Sequence, residues 1–452
     1  MSGRGGKMKK VDFVIFYEGF NREYQCICLL KKELEARGFS VRLSHFSLKD
    51  FYETVTRFQP AVVLCPWLRY NENVFRFTMF KKPVKALVNL QWEQVYNNMS
   101  LREGLTSSSG ESLKYVHLCW SEHSKKRMEA DGVAPENLPI VGSVQLDFCR
   151  PEFLADLLSR SDVCREFGLD PRKKLILFIS SFAFASYTKD EEDRFLRDFG
   201  SVFEERFATE RSNKQKTLEW LRAACAENPD KTFIYRPHPS ERITEELLAA
   251  EKEIPNFRVI SKYNIKQWIY VCDVINSWVS TSVAEIYFMG KKCNILRPER
   301  LSDDLEVEIL NGADFVTSKD EFLRRTRDCE SFPFPVSEER MNEFYSVEKE
   351  YSFRRAADVL EKLAKSDAVC PQPEFSAGEL KRFRKEKRFW LLGARYYRFC
   401  ERTGRRLSRI CPIKKRSLEY IEEKARVFSG FDYSGAEASV AAAFDRINGK
   451  SE

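Results

Sequence analysis

A chain of 452 residues, 43% hydrophobic and 32% charged, is long enough for two or three domains and too apolar to be disordered. Its formal charge of +7 averages two unlike parts, because residues 376–416 carry fifteen Lys or Arg against three Glu, which leaves the rest of the chain near −5. The basicity therefore belongs to one surface-binding appendage.

No run approaches the roughly 20 apolar residues that a membrane span needs. The opening MSGRGGKMKKVDFVIFYEGF is broken by Asp12 and Glu18 and shows no cleavage site, so it is not read as a signal peptide. The thirteen cysteines are scattered, several of them in apolar segments (Cys26, Cys28, Cys65, Cys272). They are expected to be buried, reduced thiols of a cytosolic protein.

In chain order, VDFVIFY (11–17) is the short apolar run of a buried parallel strand. NREYQCICLLKKELEARG (21–38) has helical spacing, with Cys26, Leu29, Leu30 and Leu34 on one face and Gly38 as a stop. A strand FSVRLS, a helical segment over 48–58, strands over 61–66 and 85–90, and a helix after Ser121 continue the alternation. These make a first βα domain, residues 1–165, with a parallel sheet. A polar helical connector over 148–170 leads to strands over 174–180, 231–237, 257–261, 273–277 and 293–298, the second domain, residues 166–368. The expected fold class is α/β, with two Rossmann-like domains facing a cleft. Past Pro371 and Pro373, residues 369–452 read as a basic amphipathic helical tail. In it Phe383, Phe389, Trp390, Leu391, Leu392, Tyr396, Tyr397 and Phe399 interleave with Lys and Arg.

Two motifs in the second domain point to an anion. In FIYRPHPSE (233–241) one of only four histidines, His238, sits between two prolines just past a strand, with Arg236 before it and Ser240 after it. Forty residues on, Ser280-Thr281-Ser282 forms a polar turn before a short helix, and Ser282 with Glu285 fits the S-x-x-E capping box. Hydroxyls and backbone N–H groups at a helix start attract anions. In open α/β sheets ligands lie beyond the strand carboxyl ends, so both motifs are expected around one pocket. Arg236 adds charge there or pairs with Glu241, and Glu285 holds ribose hydroxyls or closes the cap. Plain roles stay open: a strand-ending turn whose Ser240 and Glu241 cap the next helix, and capping alone for the Ser-Thr-Ser turn.

The first domain offers two candidate general bases at strand ends. Glu93 lies beside Trp92, Gln91 and Gln94, an indole and two amides that would raise a carboxylate pKa toward general-base work. Glu18 lies in YEGFNRE, with Arg22 and Glu23 one turn on. Glu93 is taken slightly ahead, with Arg22, Trp92 and Gln94 as acceptor-side candidates. The plain readings are helix N-terminal charge for Glu18 and a polar loop residue for Glu93. His117 and His123 read as core or loop residues, and the acidic run 189–193 as a solvated helix start. No P-loop, dinucleotide or nucleophile-elbow motif is present.

With these motifs in hand, the second domain resembles the nucleotide-binding half of a GT-B glycosyltransferase. The HP motif paired with a Ser/Thr-rich turn is similar to that of CMP-sugar transferases (polysialyltransferase-like and Kdo-transferase-like) and CDP-glycerol polymerases. More closely, the chain resembles bacterial surface carbohydrate biosynthesis proteins through YEGFNREYQ, VGSVQLDFCRPEF, LILFISSFAFASYTKDEE, YRPHPSE and STSVAE, over roughly residues 11–300. It departs from them at Gly142-Ser143-Val144-Gln145-Leu146-Asp147, where a GNPRxD-like motif is expected, which leaves the role of Asp147 open.

The resemblance implies transfer of an acidic sugar (Kdo-, sialic- or pseudaminic-like) from a CMP donor to a hydroxyl of a glycan or lipid-linked glycan. The setting it implies is capsule or lipopolysaccharide assembly at the cytoplasmic face of the inner membrane, with no cofactor and no metal. The alternatives are a CDP-glycerol-type polyol phosphotransferase, a non-hydrolysing UDP-sugar epimerase, and a non-catalytic membrane-bound scaffold. For residues 376–416, peripheral attachment to anionic lipid is favoured over a helix packing back on the enzyme, and nucleic acid is not expected as a partner.

Overall fold

The structure, a computed structural model, describes residues 8–46, 48–329, 332–346, 348–368, 370–403 and 432–449. Its strands are β1 (Lys9–Tyr17), β2 (Val41–His45), β3 (Phe58–Cys65), β4 (Ala86–Asn89), β5 (Val116–His117), β6 (Lys174–Ile179), β7 (Lys231–Arg236), β8 (Phe257–Val259), β9 (Val274–Ser277), β10 (Lys292–Leu296) and β11 (Phe315–Val316). The helices that matter below are α1 (Gln25–Ala36), α2 (Leu48–Arg57), α3 (Glu204–Glu227), α4 (Val283–Phe288), α5 (Ser352–Lys365), α6 (Ala377–Thr403) and α7 (Tyr433–Ile447). Two-residue strands such as β5 and β11 are too short to leave a periodic signal in the sequence.

The chain divides into two compact units. The first comprises Met1–Gln94, Thr106–Asp147 and Glu343–Glu452, around a parallel sheet of order β2-β1-β3-β4-β5. Its inner strand β1 has Phe13 to Phe16 wholly buried, as a strand covered on both faces requires. The order reverses direction between β1 and β3, the switch point where such sheets bind ligands. Between β1 and α1 the chain makes a π-helical turn, Phe20–Tyr24, a form that recurs at functional sites.

The second unit, Val95–Leu105 with Phe148–Asn342, holds a parallel sheet of order β11-β10-β9-β6-β7-β8. Its first strand lies inside and the chain winds outward on both sides, the Rossmann order, with the switch point between β6 and β9. The two Rossmann-like α/β units are the fold class read from the sequence.

The unit boundaries differ from the 165 and 368 read from the sequence. The first unit ends at Asp147, and residues 343–368 belong to it and not to the second unit. The cause is local. The Asp147 carboxylate, buried, accepts from the backbone N–H groups of Ser352 and Phe353 at 3.0 and 2.9 Å and so caps α5. That helix buries Phe353, Ala356, Ala357 and Leu360 in the first unit. This gives Asp147 a capping role.

Candidate nucleotide site

At the carboxyl edge of the second sheet, Ile179 of β6 stands level with Arg236 of β7 on one side and Ser277 of β9 on the other. At about 4.8 Å per strand, the ends of β7 and β9 lie roughly 10 Å apart. The loops that leave the three strands are tied together. The Ser180 N–H donates to the Arg236 carbonyl at 3.0 Å, and the Val279 N–H donates to Ser181 Oγ at 3.3 Å. The HP motif and the Ser-Thr-Ser turn therefore share one edge, with the switch point between β6 and β9.

Arg236 is only 9% exposed. Its guanidinium donates to two backbone carbonyls, Tyr263 O at 2.6 Å and Pro237 O at 3.4 Å, while Nε has no partner. The pairing with Glu241 considered from sequence is not made, and among the described residues no carboxylate neutralises Arg236. Burial alone pushes its pKa down.

His238 is half-buried, and the Ser240 N–H donates to its Nδ1 at 3.1 Å, which assigns the ring the Nε2–H tautomer. Ser240 itself is exposed. Glu241 does not cap the helix that follows it, which has Thr244 at its N-cap. It turns inward instead and accepts from Ser180 Oγ, from the Tyr235 hydroxyl at 2.8 Å and from the His238 N–H at 3.2 Å. It also pairs with Lys214 at 2.8 Å.

The Ser282–Glu285 capping box does not form. Ser282 has helical backbone angles, φ −63° and ψ −7°, and makes no side-chain cap. Its N–H donates instead to Ser280 Oγ at 3.2 Å. The hydroxyls of Thr281 and Ser282 keep no protein partner among the described residues. With six residues, α4 is too short to hold an anion through its dipole, which leaves these hydroxyls as the polar groups that the turn offers. Glu285 is half-buried in the first turn of α4.

In the first unit the two candidate carboxylates are placed unequally. Glu18 is exposed just past β1, and its Oε2 accepts from Trp67 Nε1 at 2.9 Å. Trp67 lies two residues past β3, so the pair bridges the two sides of the switch point. The Glu18 N–H donates to Glu23 Oε2 on the π-helical turn at 2.7 Å, and its carbonyl meets His45 Nε2 at 3.1 Å.

Glu93 is exposed in the loop after β4, and the setting expected for it is absent. The Gln94 amide donates to the carbonyls of Gln91 and Leu118 at 3.2 and 2.8 Å and accepts from the Trp120 N–H at 2.9 Å. Gln91 adopts φ 44° and takes the Asn89 amide at 2.8 Å. Trp92 is buried, and its carbonyl accepts from Gln145. The amides of Gln91 and Gln94 thus build the loop, while the buried Nε1 of Trp92 has no partner among the described residues. The side chain of Arg22 lies outside the described residues.

His117 is a core residue, bonded through its two ring nitrogens to Asn89 and the Ser112 carbonyl, each at 2.9 Å, and burial lowers its pKa. His123 meets Glu343 at 3.2 Å. Among the described residues eleven cysteines, Cys26 and Cys370 included, are buried and form no disulfide.

α6 packs against the first unit through Phe383, which is wholly buried and stacks on Phe75 with ring centroids 4.8 Å apart. Trp390 lies 6.1 Å from Phe46 and takes the Arg76 guanidinium over its ring at 5.1 Å, while Glu386 pairs with Arg76. The opposite face exposes Lys381, Arg382, Arg384, Lys385, Arg388 and Arg395, with Phe389 at 41% and Leu392 at 50%. The rest of the basic tail, 404–416, lies outside the described residues. Among the described residues no helix is long and apolar enough to cross a membrane.

The chain matches no protein-family model and no curated protein sequence. Among solved structures it is similar to the UDP-GlcNAc 2-epimerase of Methanocaldococcus jannaschii in complex with UDP-GlcNAc and UDP, at 11% identity and TM-score 0.48, over 78% of this chain and 99% of that one. It is also similar to the UDP-GlcNAc 2-epimerase of Neisseria meningitidis bound to UDP-GlcNAc, at 12% identity and TM-score 0.47, over 79% and 100%. A third likeness is to the wall teichoic acid polymerase TagF, at 10% identity and TM-score 0.49, over 78% and 89%. With TM-scores under 0.5 these carry no argument about chemistry, which rests on the chain's own residues.

Proposed function

We propose that this chain is a transferase of cell-surface polysaccharide synthesis that moves an acidic sugar from a CMP-activated donor to a hydroxyl of a glycan or lipid-linked glycan. The observation that carries the reading is Arg236, a buried cation with an orphaned Nε and no carboxylate partner among the described residues, two positions before His238. Burying an unpaired charge is costly, and an arriving phosphate offsets that cost. Arg236, the Nε2–H of His238 and the hydroxyls of Thr281 and Ser282 then surround the single phosphate of CMP. They stabilise it as the bond from the anomeric carbon to the phosphate oxygen breaks and CMP departs with the electron pair.

The acceptor oxygen forms the new bond to the anomeric carbon, and its proton passes to a carboxylate of the first unit. Glu18 is preferred to Glu93 for that step, because it stands at the switch point with its carboxylate oriented by Trp67. In this reading Arg236 supplies the positive charge at the phosphate and no metal is needed. The exposed basic face of α6 attaches the enzyme to anionic lipid at the inner membrane.

Calorimetric titration of CMP, CDP, UDP and GDP into the wild type and His238→Ala tests the donor. Tight CMP binding weakened at least tenfold by the substitution is the expected result. A preference for UDP or CDP, indifferent to His238, would overturn the CMP donor in favour of an epimerase-like or glycerol-phosphate chemistry.

A further inference from the structure

α3 buries one side along its length, and the character of that side changes. Its C-terminal half buries Leu218, Trp220, Leu221, Ala224 and Cys225 in the apolar core, the ordinary use of a helix on a sheet. Its middle buries polar groups: Glu210, Asn213 and Thr217 are at 0% exposure and Lys214 at 6%. Their spacing of three and four residues puts them on one side of the helix.

Three of these side chains reach three different loops of the same sheet edge. Glu210 accepts from the Phe184 N–H at 2.7 Å, in the loop after β6. Lys214 pairs with Glu241 at 2.8 Å, in the loop after β7. Asn213 accepts from the Glu299 N–H at 3.2 Å, in the loop after β10. The middle loop is held hardest, since the Glu241 carboxylate collects Lys214, Tyr235, Ser180 and the His238 N–H.

An apolar face would bury here at lower cost, because desolvating a Lys–Glu pair consumes most of its attraction. What the polar face provides is direction: each contact ends on the backbone or side chain of a loop at the sheet's carboxyl edge. We propose that the buried polar face of α3 is the positioning machinery of the phosphate site, with Lys214 and Glu241 as positioning residues that hold the His238 loop in its binding shape before any ligand arrives. This rests on the donor reading above for its purpose, and its first readout needs no nucleotide.

Hydrogen exchange of the amides of His238, Ser240 and Glu241, and the ¹⁵N shift of His238 Nδ1, report the loop in the unliganded protein. In folded Lys214→Met, exchange should quicken about tenfold and the Nδ1 shift should move as the Ser240 bond loosens. Ser180→Ala, which removes one neutral donor and is the safer substitution for folding, should give about a threefold change. Arg222→Met, on the exposed side of the same helix, should change neither. CMP affinity should fall in step with exchange across the series, without a matching order in thermal midpoint. Exchange and Nδ1 shifts like those of the wild type in both folded variants would overturn the proposal. A wild type that binds none of the four nucleotides would overturn the donor reading instead, while the exchange data still judge the loop.

Discussion

The carboxyl edges of the two sheets are built from different materials. In the second unit the edge is a buried polar web of Ser180, Tyr235, Lys214, Glu241 and Arg236, with loops fixed by hydrogen bonds. In the first unit it is aromatic: Phe46, Trp67 and Trp390 pack together, His45 stacks on Phe20, and the Glu18 carboxylate at the switch point is exposed. A pre-set polar edge suits a charged ligand, because fixed dipoles and cations need no reorganisation when it binds. In the function proposed above, the aromatic edge with the Glu18 carboxylate oriented by Trp67 suits a neutral hydroxyl that must lose a proton.

The largest expected effect tests the aromatic edge. Glu18→Gln keeps the Trp67 hydrogen bond and removes the base, so kcat should fall by about 10²–10⁴ with CMP affinity unchanged. Glu93→Gln should stay within about twofold, as an exposed loop substitution does. Kinetics of the two variants side by side decide the matter, and the opposite ranking would return the base to the loop after β4.

The next effect compares two arginines on the polar edge. Arg297, just past β10, is buried and pairs with Glu306 through contacts of 2.7 to 3.1 Å, while Arg236 has no such partner. Arg297→Met strands a buried carboxylate and should destabilise the second unit by about 3–5 kcal/mol. Arg236→Met strands no charge, only the two backbone carbonyls it bonds, so its thermal midpoint should fall by much less than that of Arg297→Met. Its CMP affinity should nevertheless fall by about 1.5–3 kcal/mol, the range for a hydrogen bond to a charged group. Denaturation curves and calorimetry separate the two. Loss of stability without loss of affinity in Arg236→Met would make it structural.

How much of this was legible in the sequence follows the range of each signal. Strands buried on both faces announce themselves as apolar runs, so both sheets were readable, apart from the two-residue β5 and β11. The residues of the HP motif were visible because a histidine between prolines past a strand is a local pattern. Lys214 was not, since its partner Glu241 lies 27 residues on and nothing near Lys214 marks it as buried. The same limit applies to the surroundings of Glu93, where the Gln94 amide is bonded to backbone brought in from residues 118 and 120. Asp147 belonged to a cap more than 200 residues away, which displaced the domain boundary with it.

The smallest effect concerns α6, whose two faces repeat the contrast on one helix. The inner face, with Phe383 and Trp390, is committed to the first unit. The outer face carries six exposed cations and two exposed apolar side chains, and it makes the membrane attachment in our reading. Each Lys or Arg near an anionic surface contributes about 1 kcal/mol, so Arg388→Gln should weaken binding to phosphatidylglycerol-containing vesicles roughly fivefold. Raising the salt from about 0.1 to 1 M shortens the screening length from about 10 to 3 Å and should release the protein. Leu392→Ser, which removes an inserting group without changing charge, should weaken binding by a smaller factor and leave its salt dependence unchanged. Sedimentation with vesicles of graded anionic content measures all three. Equal binding to zwitterionic vesicles, or indifference to Arg388, would leave α6 as a packing helix and detach the enzyme from the membrane.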